Sequence, residues 1–190
     1  MDHILRKQAV FLDRDGTINE QMGYINHISR FRMLPKTNEA IKILNQHDYL
    51  VIVITNQSGV SKGYFPIDLV YEVHNYMENL LKKSNAYIDA IYFCPHSPDE
   101  GCICRKPKTG MIEMACRDLP IDISQSYLVG DMCVDMELAR NAKLKGIMVK
   151  TGYGLGEIKY RLPNTYLKPV YIADDLLSAV KWILKNDKRA

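Results

Sequence analysis

The chain has 190 residues, 47% of them hydrophobic and 25% charged, a balance that suits one folded domain with a substantial core and excludes a disordered tract. Its net charge of +3 is too small for a nucleic-acid-binding face, and no apolar run approaches the roughly 20 residues of a membrane span. The first residues, MDHILRKQAV, lack the long apolar stretch of a secretion signal, so the expectation is a cytoplasmic monomer without nucleic-acid or membrane partners.

In chain order, QAVFLD (Gln8 to Asp13) reads as a short buried strand, and PKTNEAIKILNQHDY as a helix with Ala40, Ile41 and Leu44 on one face. LVIVIT (Leu50 to Thr55) is β-branched on both faces, which marks a central parallel strand. A long amphipathic helix follows from Pro66, then a strand at Ile88 to Cys94 and a helix at TGMIEMACRDL. SYLVGD (Ser126 to Asp131) is a fourth strand, VDMELARNAKL a helix and GIMVK a fifth strand; PVYIAD and DLLSAVKWILKN supply the last pair. Asn19 to Pro35, Cys94 to Pro107 and Thr151 to Lys168 read as irregular. Strand and helix alternate throughout, which predicts a three-layer, doubly wound α/β fold with a mostly parallel sheet, one domain over 1–190, and no large cap.

The strands end in polar residues. Asp13 and Asp15 close the first, Thr55-Asn56-Gln57-Ser58 the second and Asp131 the fourth. Carboxylates at a buried strand tip are expensive to desolvate unless they face a cleft, and in such sheets ligands sit at the carboxyl ends of the strands. Asp13, Asp15 and Asp131 would form a hard-oxygen set suited to Mg²⁺ and a phosphate substrate. A carboxylate there can attack phosphorus, a second two residues on can act as general acid and base, and Thr55 with Lys106 can hold the phosphoryl oxygens. Asn56, Gln57 and Ser58 read either as substrate contacts or as caps of the following turn. Asp135 reads as a holder of Lys106, a contact to a bound water, or a helix N-terminal acid.

The five cysteines are an odd number, and three of them cluster. Cys94-x-His96 followed by Cys102-x-Cys104 offers three thiolates and an imidazole, a closed tetrahedral Zn²⁺ set of structural type in an inserted loop, 94–107. Its purpose would be to aim Arg105 at the substrate and Lys106 at the phosphoryl group. Cys116 and Cys133 read as packing residues, His27, His47 and His74 as surface or helix-face residues, His3 as mobile and the tail KNDKRA as solvated.

The motifs DRDGT, TNQSG, RKPKTGM and VGDMCVD, in that order, resemble the haloacid-dehalogenase-like phosphohydrolases over roughly Ala9 to Lys150. The resemblance implies Asp13 as nucleophile, Asp15 as general acid/base, Thr55 and Lys106 as phosphoryl stabilisers, and Mg²⁺ held by Asp13, Asp131 and the backbone carbonyl of Asp15. TNQSGVSKGYF, CPHSPDEGCICRKPKTGM and MGYI are similar, more narrowly, to the heptose bisphosphate phosphatases, which remove the 7-phosphate of D-glycero-D-manno-heptose 1,7-bisphosphate in nucleotide-heptose synthesis. This implies substrate contacts at Gly23, Tyr24, Thr55, Asn56, Gln57, Ser58, Arg105 and Lys106, with specificity carried by the Asn19–Arg30, Thr55–Phe65 and zinc loops around an open cleft. Histidinol-phosphate phosphatases are the near alternative; an acidic residue is expected in them where Ser58 stands. A non-catalytic zinc module is the remote one, against which the complete acid set speaks. Met132 departs from the pattern, since the heptose enzymes place a Lys there, and it puts substrate affinity or anomeric preference in question.

Overall fold

The structure, a computed structural model, describes residues 6–187; His3 and the end of the basic tail lie outside them. Six strands form one sheet: β1 (Ala9–Leu12), β2 (Leu50–Asn56), β3 (Ala90–Cys94), β4 (Tyr127–Gly130), β5 (Lys145–Val149) and β6 (Tyr171–Ala173). They run in the order β3-β2-β1-β4-β5-β6 and every pairing is parallel, so the sheet is wholly rather than mostly parallel. Between them lie α1 (Thr37–Gln46), α2 (Ile67–Lys82), α3 (Gly110–Asp118), α4 (Cys133–Asn141) and the short α5 (Gly154–Gly156), and α6 (Leu176–Lys185) follows β6. No helix among the described residues is long and apolar enough to cross a membrane.

The apolar runs of β1 and β2 serve two cores at once. Val10, Leu12, Val51 and Val53 point to one face and pack with Ala40, Ile41 and Leu44 of α1, Val73 and Met77 of α2, and Val180 and Ile183 of α6. Ala9, Phe11, Ile52 and Ile54 point to the other and pack with Met111 and Ala115 of α3 and Leu138 of α4. The period of two along each strand sorts its side chains between these layers.

Because the strands are parallel, the ends of β1, β2 and β4 open on the same edge. β1 is central, with β2 and β4 on either side, so crossovers diverge in opposite directions from the point where Asp13 emerges. One departure from the sequence reading lies in 151–168, where Gly154–Gly156 turns helical and runs into a π-helical turn, Glu157–Arg161. Its glycines disfavour helix in isolation. Tertiary anchoring overrides that: the Tyr153 N–H donates to Asp131 Oδ2 at 2.8 Å, and Glu157 Oε2 accepts from the Cys133 N–H at 2.6 Å.

Candidate active site

At the end of β1, Asp13 is 6% exposed and Lys106, delivered by the loop after β3, is 5% exposed. The Lys106 ammonium donates to Asp13 Oδ1 at 2.6 Å and to Asp135 Oδ1 at 2.7 Å. Asp135 also accepts from the Met132 N–H at 3.1 Å, so it holds Lys106 and caps α4 together. Burial alone would strip the proton from Lys106, but Asp13 and Asp135 outweigh it and the group is held charged.

Asp131, on the edge of β4, is fully buried. Oxygens of Asp13, Asp131 and Asp135 all lie within 4.8 Å of one another. With one ammonium among three carboxylates, two negative charges are left unbalanced. In the metal-free chain, burial and then the neighbouring acids push Asp131 up to about 8. Asp13 goes up to about 7, again from burial first, with Lys106 opposing. Asp131 Oδ1 is buried and makes no hydrogen bond among the described residues. Gly16 and Gly152, both at positive φ, close over this carboxylate; a Cβ on either would come within 2.1 and 2.2 Å of Asp131 Oδ2. An orphan carboxylate oxygen, unbalanced negative charge and an all-oxygen donor set fit a hard divalent cation.

The Asp15 side chain faces another way. Arg14, only 1% exposed, donates from one terminal nitrogen to both its oxygens, at 3.0 and 2.7 Å. Asn19 adds a bond of 2.9 Å and Gln57 one of 2.8 Å. Burial opposes ionisation, yet Arg14 and these donors outweigh it and keep the carboxyl below its ordinary range. Both oxygens of the side chain are thus engaged by hydrogen-bond donors, and it is Asp135 rather than Asp15 whose carboxylate joins those of Asp13 and Asp131. Arg14 in turn contacts His74 Nε2 at 3.2 Å. Of the two readings of His74, helix face and surface, the first holds: it lies on the buried face of α2, 5% exposed, and is held neutral, its pKa lowered to about 3 by burial and then by Arg14. Arg14, Asn19 and His74 were missed from sequence. Arg14 carried a signal, since a cation between two catalytic-type acids is adjacent to both, whereas nothing local tied His74 to it.

Thr55 is buried at the end of β2, its hydroxyl bonded to Gln57 at 2.8 Å. Asn56 grips the Lys106 peptide, accepting its N–H at 3.1 Å and donating to its carbonyl at 3.4 Å. Gly23 lines the cleft, whereas Tyr24 does not; its ring is edge-on to Tyr64 and its hydroxyl accepts from the Lys62 ammonium at 2.9 Å. Ser58 does not line the cleft. The cleft itself measures about 340 Å³, and Asp13, Thr55, Lys106, Arg105, Met132 and Arg161 are among its lining residues. Arg161 was not foreseen.

Beside it, Cys94, His96, Cys102 and Cys104 meet. Cys94 Sγ to Cys102 Sγ is 3.5 Å, Cys102 Sγ to Cys104 Sγ 3.5 Å, Cys104 Sγ to His96 Nδ1 3.3 Å and His96 Nδ1 to Cys94 Sγ 3.6 Å. Tetrahedral zinc with Zn–S bonds of about 2.3 Å gives S···S edges of about 3.8 Å, close to these separations. Against burial, backbone N–H groups and the neighbouring thiols hold Cys102 down to about 7. The Arg105 guanidinium is steered by this loop, donating to the His96 carbonyl at 3.0 Å. Cys133 is buried as expected, but Cys116 is exposed and not a packing residue.

A parallel sheet of this order, with the paired aspartates at its switch point and a buried lysine and late aspartate facing them, defines a haloacid-dehalogenase-like hydrolase. A family model described as HAD-hydrolase-like matches residues 103–179. The D-glycero-D-manno-heptose-1,7-bisphosphate 7-phosphatase of Thermosynechococcus vestitus is 39% identical over 93% of this chain and 95% of its own length. The D-glycero-beta-D-manno-heptose-1,7-bisphosphate 7-phosphatase of Pasteurella multocida is 36% identical over 92% and 99%. Among solved structures, a D,D-heptose 1,7-bisphosphate phosphatase from B. bronchiseptica complexed with magnesium and phosphate superposes with a TM-score of 0.86 at 32% identity, covering 95% of this chain and 99% of that one. The chain belongs to the heptose-1,7-bisphosphate 7-phosphatase family, and it is a phosphatase.

Proposed function

We propose that this phosphatase removes the 7-phosphate of D-glycero-D-manno-heptose 1,7-bisphosphate through an aspartyl-phosphate on Asp13, as a step in nucleotide-activated heptose biosynthesis. The observation that carries the reading is the Lys106 ammonium, 2.6 Å from an Asp13 carboxylate that clusters within 4.8 Å of Asp131, one of whose oxygens is buried without a hydrogen-bond partner. The names of the relatives carry the substrate.

Asp13 forms a bond to phosphorus while the bond from phosphorus to the sugar oxygen breaks, and Asp15 gives that oxygen a proton. Water then attacks the aspartyl-phosphate, Asp15 takes its proton, and inorganic phosphate leaves. An incoming phosphate dianion raises the proton affinity of Asp15 against the pull of Arg14, which loads it for the first step. Thr55 and Lys106 hold the equatorial oxygens. Asp13, Asp131 and the Asp15 backbone carbonyl would hold Mg²⁺, whose charge neutralises the phosphoryl group. Cys94, His96, Cys102 and Cys104 would hold a structural Zn²⁺ that stiffens the loop carrying Arg105 and Lys106. The reading takes the enzyme to be a cytoplasmic monomer acting on a small-molecule sugar bisphosphate.

The test is phosphate release with Mg²⁺ from both anomers of the bisphosphate, with histidinol phosphate as control. The expected result is a kcat/KM for one heptose anomer on the order of 10²-fold or more above the control, abolished in Asp13→Asn. A preference for histidinol phosphate overturns the substrate, and turnover by Asp13→Asn overturns the mechanism.

A further inference from the structure

We propose that Arg161 is a specificity-determining residue that grips the phosphate of the bisphosphate that is not hydrolysed. The inference rests on the substrate reading above. When one phosphate sits on the cleft floor at Asp13, the other must lie toward the mouth, and a dianion there needs cations. Among the described residues, the cations lining the cleft are Arg105, Lys106 and Arg161. Lys106 is occupied on the floor between Asp13 and Asp135. Arg105 and Arg161 remain.

The topology sets these two on opposite sides. Arg105 follows β3 and Arg161 follows β5, and in the sheet those strands flank β1 two places away on either hand. On the Arg161 side, Met132 and Val134 line the wall and bring no charge. The segment bearing Arg161 is pinned to the catalytic centre twice. Its first link is the Tyr153 N–H on Asp131, and its second is Glu157 on the Cys133 N–H at the start of α4. Between the second link and Arg161 the backbone makes the π-helical turn Glu157–Arg161, a rare conformation that is frequent at functional sites. Glu157 also touches one terminal nitrogen of Arg161, at 3.3 and 3.4 Å. These contacts are long enough to orient the guanidinium without saturating it, and they leave its other nitrogens for a bidentate hold on phosphate.

The experiment compares Arg161→Gln and Arg161→Lys with the wild type on two substrates, heptose 1,7-bisphosphate and heptose 7-phosphate, with Mg²⁺. The side chain is 55% exposed, so both variants are expected to fold. Arg161→Gln should raise KM for the bisphosphate on the order of 10-fold to 100-fold, with kcat nearly unchanged and kcat/KM on the monophosphate within about twofold. Arg161→Lys should recover part of the loss. An unchanged KM for the bisphosphate, or an equal loss on both substrates, overturns the role of Arg161 alone. A wild-type enzyme inactive on the bisphosphate overturns the substrate reading and this inference with it.

Discussion

Lys106 and Asp135 stand 29 positions apart in sequence and meet at 2.7 Å in a site where Asp135 is wholly buried. Asp135 thereby joins three things: the loop after β3, the N-terminus of α4 and, through Lys106, Asp13, the proposed nucleophile. The pair does not recommend itself as a source of stability, since taking two charges out of water offsets most of their attraction. Its consequence is positional: the ammonium cannot leave the floor of the cleft.

Removing Asp135 leaves the Lys106 charge paired with Asp13 but takes away one acceptor of the buried ammonium and the acceptor of the Met132 N–H. Asp135→Ala is expected to destabilise the fold by about 1–3 kcal/mol, read as a lower urea midpoint at unchanged m-value. Asp135→Asn keeps the shape and an acceptor oxygen and should lose less. A midpoint for Asp135→Ala equal to wild type would refute this account of the pair.

Arg14 bonds both oxygens of Asp15, and His74 backs Arg14. Arg14→Met should misplace Asp15, the proposed acid for the leaving oxygen. On the sugar phosphate, kcat is expected to fall on the order of 10²-fold. On an aryl phosphate, whose leaving group departs without a proton, the loss should be several-fold at most. Equal losses on the two substrates would mean that Arg14 supports the fold and not the proton transfer.

His74 also sets a pH dependence. Burial and Arg14 lower its pKa from the ordinary 6.5 to about 3 in the folded chain. The unfolded chain takes up the proton first as pH falls, so folded stability is present above pH 6.5 and is lost progressively below it. The loss amounts to about 1.4 kcal/mol per pH unit, or about 2 kcal/mol between pH 6.5 and 5. His74→Gln removes this component. Urea titrations at the two pH values should show a smaller drop for the variant; parallel drops would contradict the assignment.

The four-residue Cys/His cluster should bind one zinc ion per chain by metal analysis. Cys104→Ser should lower that content and lower kcat on the order of 10-fold or more, because Arg105 and Lys106 follow directly on the loop. Full zinc content in the variant, or full activity without zinc, would separate the loop from the catalytic cleft.

The alternation of apolar runs with amphipathic segments determined the fold, because a strand apolar on both faces has one stable place, between two helical layers. Local spacing likewise made the Cys94–Cys104 cluster and the Asp13/Asp15 pair legible, since short spacing limits where side chains can go. The wholly parallel order, the burial of His74 against Arg14 and the helical turn that carries Arg161 were decided by tertiary structure. Each depends on a partner distant in sequence: Asp131 and Cys133 for the 153–161 segment, Arg14 for His74. No property of the glycine-rich stretch TGYGLG announces that its first turn will be held by a buried carboxylate. That contact exists only once β4 and β5 lie side by side and bring Asp131 under the Tyr153 amide.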